Sequence, residues 1–248
     1  MVGGKVITVD LEGNAEIVVK IRGSPSGLGW DLQGRLLIVS MLDRRLLRLD
    51  PDGLTEVADL KNLASNNCND MVVDKHGNAY IGNFGFDFLT NAPFKPAEIV
   101  LVTPDGQSRV VANNMAFPNG TVITPNGSTL IVGETYGSCL TAFNIEKDGS
   151  LTNRRIWARL KEGAVPDGIC LDSEGGIWAA SPTTSEVLRV LEGGEVSDQI
   201  KIKDENSAYA CMLGGPNRKT LFVCTSNDSR TNGRIEVIEV EFPGAGLP

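Results

Sequence analysis

One pattern recurs five times along this chain and restricts it to few folds. SGLGWDLQGRLLIVS begins at Ser26, NDMVVDKHGNAYIGN at Asn69 and NGTVITPNGSTLIVGE at Asn119. DGICLDSEGGIWAAS begins at Asp167 and AYACMLGGPNRKTLFVCTS at Ala208. Each reads as a polar opening, a strand of about five residues, a turn of the D-x-x-G sort and a second strand. Outer strand pairs follow: RRLLRLD and LTEVADL, EIVLVT and QSRVVA, CLTAFNI and LTNRRIWARL, EVLRVL and EVSDQIKI. The turn glycines Gly34, Gly77, Gly127 and Gly175 are 43, 50 and 48 residues apart, and Arg218 holds the matching place 43 further on. Four short antiparallel strands at this period predict propeller blades, because a sandwich would show similar strands without the repeat. Helical periodicity is nearly absent.

The expected fold is all-β, a six-bladed β-propeller type with five blades and one incomplete blade. Residues 1–248 read as one propeller domain. Residues 1–22 form the outer strands of the incomplete blade, and the five blades cover 23–64, 65–115, 116–163, 164–205 and 206–248. Residues 4–21 match only third and fourth strands, and the fifth repeat ends on GRIEVIEVEF with no fourth. The N-terminal hairpin is therefore expected to pair with the C-terminal strands, to move inward, or to pair with another chain, so open blade edges offer self-association.

In a propeller the residues opening each first strand, and the loops after each second strand, share one face around the central channel. The opening positions read Ser26, Asn69, Asn119, Asp167 and Ala208, with Asp70 next to Asn69. Converging oxygens without His or thiolate suit a hard cation such as Ca²⁺. The same Asn and Asp residues serve equally well to make the turn before each strand. The loop after Asn83 carries Phe84, Phe86, Phe88 and Phe94. It reads either as a pocket wall over a small ligand or as a hydrophobic plug. Asp167 is the one Asp of the recurring PDG triplets that falls at a blade opening. The single His76 lies in the D-x-x-G turn on the far face, which argues against a Ser-His-Asp or Cys-His mechanism.

The 23 Lys and Arg against 31 Asp and Glu give a net charge of −8, so nucleic acid and membrane surfaces are not expected partners. No signal peptide or apolar span is legible, and five scattered cysteines read as small core residues in a reducing compartment, the cytoplasm.

CNDMVVDKHGNAYIGN, FPNGTVITPNGSTLIVGET, VPDGICLDSEGGIWAA and ACMLGGPNRKTLFVCTS, in this order, resemble the family of gluconolactonase, senescence marker protein (regucalcin) and luciferin-regenerating enzyme. Diisopropylfluorophosphatase is a more distant likeness. The resemblance implies a six-bladed propeller holding a divalent cation, usually Ca²⁺, with Asn119 and Asp167 on metal-ligand positions. Asn69 falls on a position that binds metal or faces substrate, and Asp167 is also the implied base. Asp70, Phe84 and Glu134 join Asn69 as substrate-side candidates. The implied activity is a metal-dependent lactonase acting on a small cyclic ester. The alternative is a non-catalytic propeller that binds small molecules or proteins. The family's first ligand, a Glu in an E-G-P-x-W stretch, has no counterpart here. SGLGWDLQGRLLIVSMLDRRLLRLDPDG resembles the family's second blade and residues 4–21 the end of its first, which places the Glu-bearing strands before Met1. Without that Glu, Ca²⁺ is expected to bind weakly or not at all.

Overall fold

The computed structural model describes residues 3–227 and 232–246. The chain divides into two compact units, Met1–Met115 and Ala116–Pro248.

The first unit holds a two-stranded hairpin, β1 (Lys5–Val9) and β2 (Ala15–Lys20), and two four-stranded antiparallel sheets. One sheet is β3 (Pro25–Trp30), β4 (Leu36–Ser40), β5 (Arg45–Asp50) and β6 (Gly53–Asp59). The other is β7 (Cys68–Val73), β8 (Ala79–Asn83), β9 (Ala97–Val102) and β10 (Ser108–Met115). The second unit has a sheet of β11 (Pro118–Ile123), β12 (Thr129–Glu134), β13 (Cys139–Ile145) and β14 (Leu151–Arg159). A second sheet is β15 (Ile169–Leu171), β16 (Ile177–Ser181), β17 (Glu186–Val190) and β18 (Val196–Lys201). The last is three-stranded, β19 (Ser207–Gly214), β20 (Thr220–Ser226) and β21 (Arg234–Glu239). Strand order follows chain order in every sheet, as a propeller blade requires.

The D-x-x-G turns form because the Asp side chain replaces missing strand partners. Asp31 Oδ1 accepts the N–H groups of Gln33 and Arg35, Asp74 Oδ1 those of His76 and Asn78, and Asp172 Oδ1 those of Glu174 and Gly176. The glycine takes the left-handed conformation, with φ +83° at Gly77 and +79° at Gly175. Arg218 takes it in the fifth turn without that relief, at φ 58°. Asp172 does more than cap its turn. It pairs with buried Arg189 (2.6 Å), whose guanidinium sits 4.4 Å over Phe242. The C-terminal segment is tied down there, through Ser173 N–H to the Pro243 carbonyl and Ala245 N–H to the Leu171 carbonyl.

The central strands are apolar and buried on both faces, so they read as continuous runs, whereas β6, β10, β14 and β18 keep exposed positions. Leu37, Val39, Leu46, Leu60, Ile81 and Val100 lie in the core between the two large sheets of the first unit. Ile131, Leu140, Trp157, Ile177 and Leu188 play the same part in the second. The N-terminal hairpin packs Val6, with Ile21 just beyond it, against Ile38 of β4.

Neighbouring first strands touch backbone to backbone, and glycine permits it. A Cβ on Gly27 of β3 would lie 2.6 Å from the Met71 nitrogen of β7. One on Gly168 would lie 2.7 Å from the Ala210 Cα, and one on Gly120 would collide with the Ile169 nitrogen and the Asp167 carbonyl. The approach carries hydrogen bonds. Gly120 N–H donates to the Asp167 carbonyl (3.0 Å) and Gly168 N–H to the Tyr209 carbonyl (2.9 Å).

Gly168→Ala should therefore destabilise the fold by about 3 kcal/mol, the upper end for overpacking, because the atoms it meets, the Ala210 Cα and Cβ and the Tyr209 carbonyl, cannot swing aside. Gly175→Ala meets nothing within 4 Å and strains only its φ, so it should cost about 1 kcal/mol. Urea unfolding of both variants checks this; equal losses would show that the close approach does not matter.

Candidate functional site

Each first strand carries one residue more than its partner at the point where it opens. Pro25 pairs with Ser40 but Leu28 with Ile38; Cys68 with Asn83 but Met71 with Ile81; Pro118 with Glu134 but Thr121 with Val132. In the fourth sheet Asp167 and Gly168 both bond to Ala180, through Asp167 N–H to its carbonyl and its N–H to the Gly168 carbonyl. Such bulges re-aim side chains. The bulges fall at Ser26, Asn69, Asn119 and Asp167, the residues that open these four repeats. The fifth differs. Ala208 pairs with Thr225 and Ala210 with Cys224, so the extra residue is Tyr209. Its carbonyl receives the Gly168 N–H just as the Asp167 carbonyl receives the Gly120 N–H. Ala208, fully buried, is the residue before the opening and not the opening itself. The first strand of this repeat runs one residue further between its opening and its turn, which shifts the opening by one residue.

In the second unit, Asn119 is buried and its Nδ2 donates to Thr135 Oγ1 at 3.1 Å. The Thr135 hydroxyl donates to the Pro166 carbonyl at 2.8 Å, so its lone pair receives the amide. That fixes which way the Asn119 amide faces: its nitrogen toward Thr135, its oxygen away. Pro166 immediately precedes Asp167, whose carboxylate is half-buried. One hydrogen-bonded chain thus joins the two blade openings. In the first unit Asn69 is buried, and its carbonyl accepts the Ser26 hydroxyl at 2.9 Å. Beside it Asp70 is half-buried, and burial pushes its carboxyl up to about 6.

The second strands end on a matching series of buried polar residues: Ser40, Asn83, Glu134, Ser181 and Thr225. Each anchors a neighbouring segment. Asn83 binds Glu98 and the Gly85 N–H; Ser181 accepts the Val165 N–H and the Thr184 hydroxyl. Glu134 is the third member. Its oxygens accept the Thr141 hydroxyl (2.5 Å), the Ala116 N–H (2.5 Å) and the Arg154 guanidinium (3.0 Å). The carboxylate is engaged on every side by its own unit, which suits a positioning residue.

The aromatic loop folds inward. Phe84 and Phe86 are 5% and 4% exposed, and both stand edge-on to Phe88, at 6.0 and 6.4 Å. Phe94 closes on Phe86 at 5.7 Å. Of the two readings of this loop, the plug describes the position of Phe84. Beside it a groove of about 570 Å³ opens between Arg44, Asn66, Asn67, Asp87 and Leu89. His76 is exposed in the turn at the opposite end of the β7–β8 hairpin from Asn69. Residues 228–230 of the fifth loop, Thr225–Arg230, lie outside the described residues.

The donors at the blade openings are oxygens, and the oriented Asn119 amide together with the Asp167 carboxylate fits a hard cation in kind. Among the described residues no cluster of three or more His, Cys, Asp or Glu side chains forms a metal site.

Residues 1–227 match the family model described as the SMP-30/gluconolactonase/LRE-like region. A 6-deoxy-6-sulfogluconolactonase of Pseudomonas putida is 24% identical over 61% of the chain and 55% of its own length. Regucalcin of Danio rerio is 24% identical over 70% of the chain and 59% of its own length. The chain thus spans less than two thirds of these relatives. Among solved structures, a calcium-binding regucalcin of Agrobacterium tumefaciens superposes with a TM-score of 0.80 at 20% identity, covering 99% of this chain and 85% of that one. A luciferin-regenerating enzyme gives 0.79 at 18% identity, covering 95% and 85%. No helix among the described residues is long and apolar enough to cross a membrane. A family match over nearly the whole chain, a fold shared with the solved members and the repeated bulged openings agree: this chain belongs to the SMP-30/gluconolactonase/LRE-like family.

Proposed function

We propose that this chain is a lactonase that hydrolyses a small cyclic ester with the help of a divalent cation, Ca²⁺ by the chemistry of its donors. The observation that supports this best is the clamp in which Thr135 turns the Asn119 amide and ties it to Pro166, next to Asp167. Asn119 and Asp167 are the residues of the second unit that would hold the ion, and Asn69 stands at the matching position of the first. Bound there, the cation would polarise the ring carbonyl and stabilise the charge that develops on its oxygen.

Asp167 acts as general base. It takes a proton from water as the water oxygen bonds to the lactone carbonyl carbon. The bond from that carbon to the ring oxygen then breaks, and the proton passes to the leaving alkoxide, giving the open hydroxy acid. Asn69 and Asp70 stand at the matching opening of the first unit, Phe84 packs the loop that follows its second strand, and in the second unit Glu134 holds the Ala116 backbone that leads into Asn119. The four buried thiols suit a reducing compartment such as the cytoplasm.

Calorimetric titration of the full chain with Ca²⁺, paired with hydrolysis of δ-lactones followed by acid release, tests this reading. Asp167→Ala should abolish the binding heat and lower kcat/KM by about 100-fold or more. His76→Ala should change neither. Hydrolysis surviving Asp167→Ala would mean another base; no heat at millimolar Ca²⁺ together with no hydrolysis would overturn the proposal.

Thr135→Val removes the hydroxyl while keeping the shape of the side chain. With the amide no longer held, Ca²⁺ affinity should fall by about 10-fold or more, as for other residues that orient a ligand. Unchanged affinity would show that Thr135 does not set the direction of Asn119.

A further inference from the structure

We infer that Tyr209 is a substrate-contacting residue that selects cyclic esters carrying an apolar substituent, an inference that rests on the lactonase reading above. The placement comes from register. Tyr209 is the extra residue of the β19 opening, and its carbonyl accepts the Gly168 N–H at 2.9 Å. Asp167 holds the same place one sheet earlier, with its carbonyl accepting the Gly120 N–H at 3.0 Å. The repeat therefore sets the Tyr209 side chain at the position where the neighbouring sheets of this unit present Asn119 and Asp167. It is half-buried, and its hydroxyl has no hydrogen-bond partner among the described residues.

The turn that delivers Tyr209 keeps features that ordinary packing removes. Asp204 and Glu205 both sit in the left-handed region, at φ 60° and 58°. Asn206, fully buried, has neither amide atom partnered among the described residues. Consecutive strained residues and a buried orphan amide are each costly, and such costs collect where function holds them in place.

The chemistry of the position lies in its contrast with the rest. The other four openings carry Ser26, Asn69, Asn119 and Asp167, all short and polar. Tyr209 brings a flat apolar ring and one neutral hydroxyl able to donate and accept. A polyhydroxylated ring asks for several short polar partners at such a place. A ring bearing an alkyl or aryl substituent asks for an apolar face, with one donor left for an oxygen.

The test compares kcat/KM for δ-decalactone and D-glucono-1,5-lactone in the full chain, Tyr209→Ser and Tyr209→Phe. The native chain should favour the alkyl lactone. Tyr209→Ser should lower that preference by about tenfold or more, and Tyr209→Phe, which keeps the ring, should retain it. A preference unchanged in Tyr209→Ser overturns the inference. If the native chain hydrolyses neither lactone, the lactonase proposal fails, and binding of the matching cyclic amide, 6-pentylpiperidin-2-one, decides for Tyr209 separately. Binding weakened about tenfold by Tyr209→Ser supports a ligand-contacting tyrosine. Equal binding, or none by the native chain, overturns it. All variants keep the Tyr209 carbonyl, so the backbone contact to Gly168 is not at stake.

Discussion

Gly120 and Gly168 carry no side chain, and much of the second unit depends on that absence. Without a Cβ, each lets its N–H reach the carbonyl of the residue that opens the next sheet. That carbonyl is then fixed in a backbone hydrogen bond, and the bulge at the same point decides where the side chain goes. The contact that packs one sheet against the next is therefore also the contact that aims Asp167 and Tyr209. In the first unit Gly27 allows the same approach, and the Ser26 hydroxyl supplies the hydrogen bond to the Asn69 carbonyl. Fold and candidate site rest on the same few atoms.

The buried polar residues that end the second strands solve a different problem. A loop leaving a buried strand must satisfy its backbone without water. Ser40, Asn83, Glu134, Ser181 and Thr225 are fully or nearly fully buried, and each bonds to a segment that succeeds or flanks it. Among them only Glu134 is charged, and it also meets the guanidinium of Arg154, whose side chain is 39% exposed. Partial exposure of Arg154 limits what that pair adds, since solvent screens it. The larger consequence of losing Glu134 would be the orphaned Ala116 N–H, which leads directly into the strand that carries Asn119.

The period of the turns, the strand pairs they join and the positions of Asn69, Asn119 and Asp167 were legible because they depend on local chemistry. An Asp caps its own turn, a glycine relieves it, and both appear in the residue string at fixed offsets. From opening to turn the step is five residues in four repeats: Ser26 to Asp31, Asn69 to Asp74, Asn119 to Thr124 and Asp167 to Asp172. The fifth repeat has no Asp at its turn and a step of six residues from Tyr209 to Gly215, so nothing local distinguishes Ala208 from Tyr209. Only the hydrogen bond from Gly168 does, and it comes from another sheet. The same limit hid the work of Glu134, whose partners Ala116 and Arg154 lie 18 and 20 residues away. It also left the Phe84 loop undecided, since a plug and a wall have the same composition and differ only in which way the rings turn.

The chain of bonds from Asn119 through Thr135 to Pro166 gives the candidate site a property that a single blade could not supply. Thr135 stands just after the second strand of one sheet, and Pro166 just before the first strand of the next. The Asn119 amide is therefore directed by Thr135 of its own repeat, whose hydroxyl is in turn oriented by the neighbouring one. A movement between these two sheets would turn the amide and shift Asp167 together, because one hydroxyl holds both. Orientation fixed in this way costs nothing further when a ligand arrives, which is the condition for preorganised binding. It also ties the site to the same inter-sheet contact that Gly120 makes possible, so an opening of that contact would loosen the amide, the carboxylate and the fold at once.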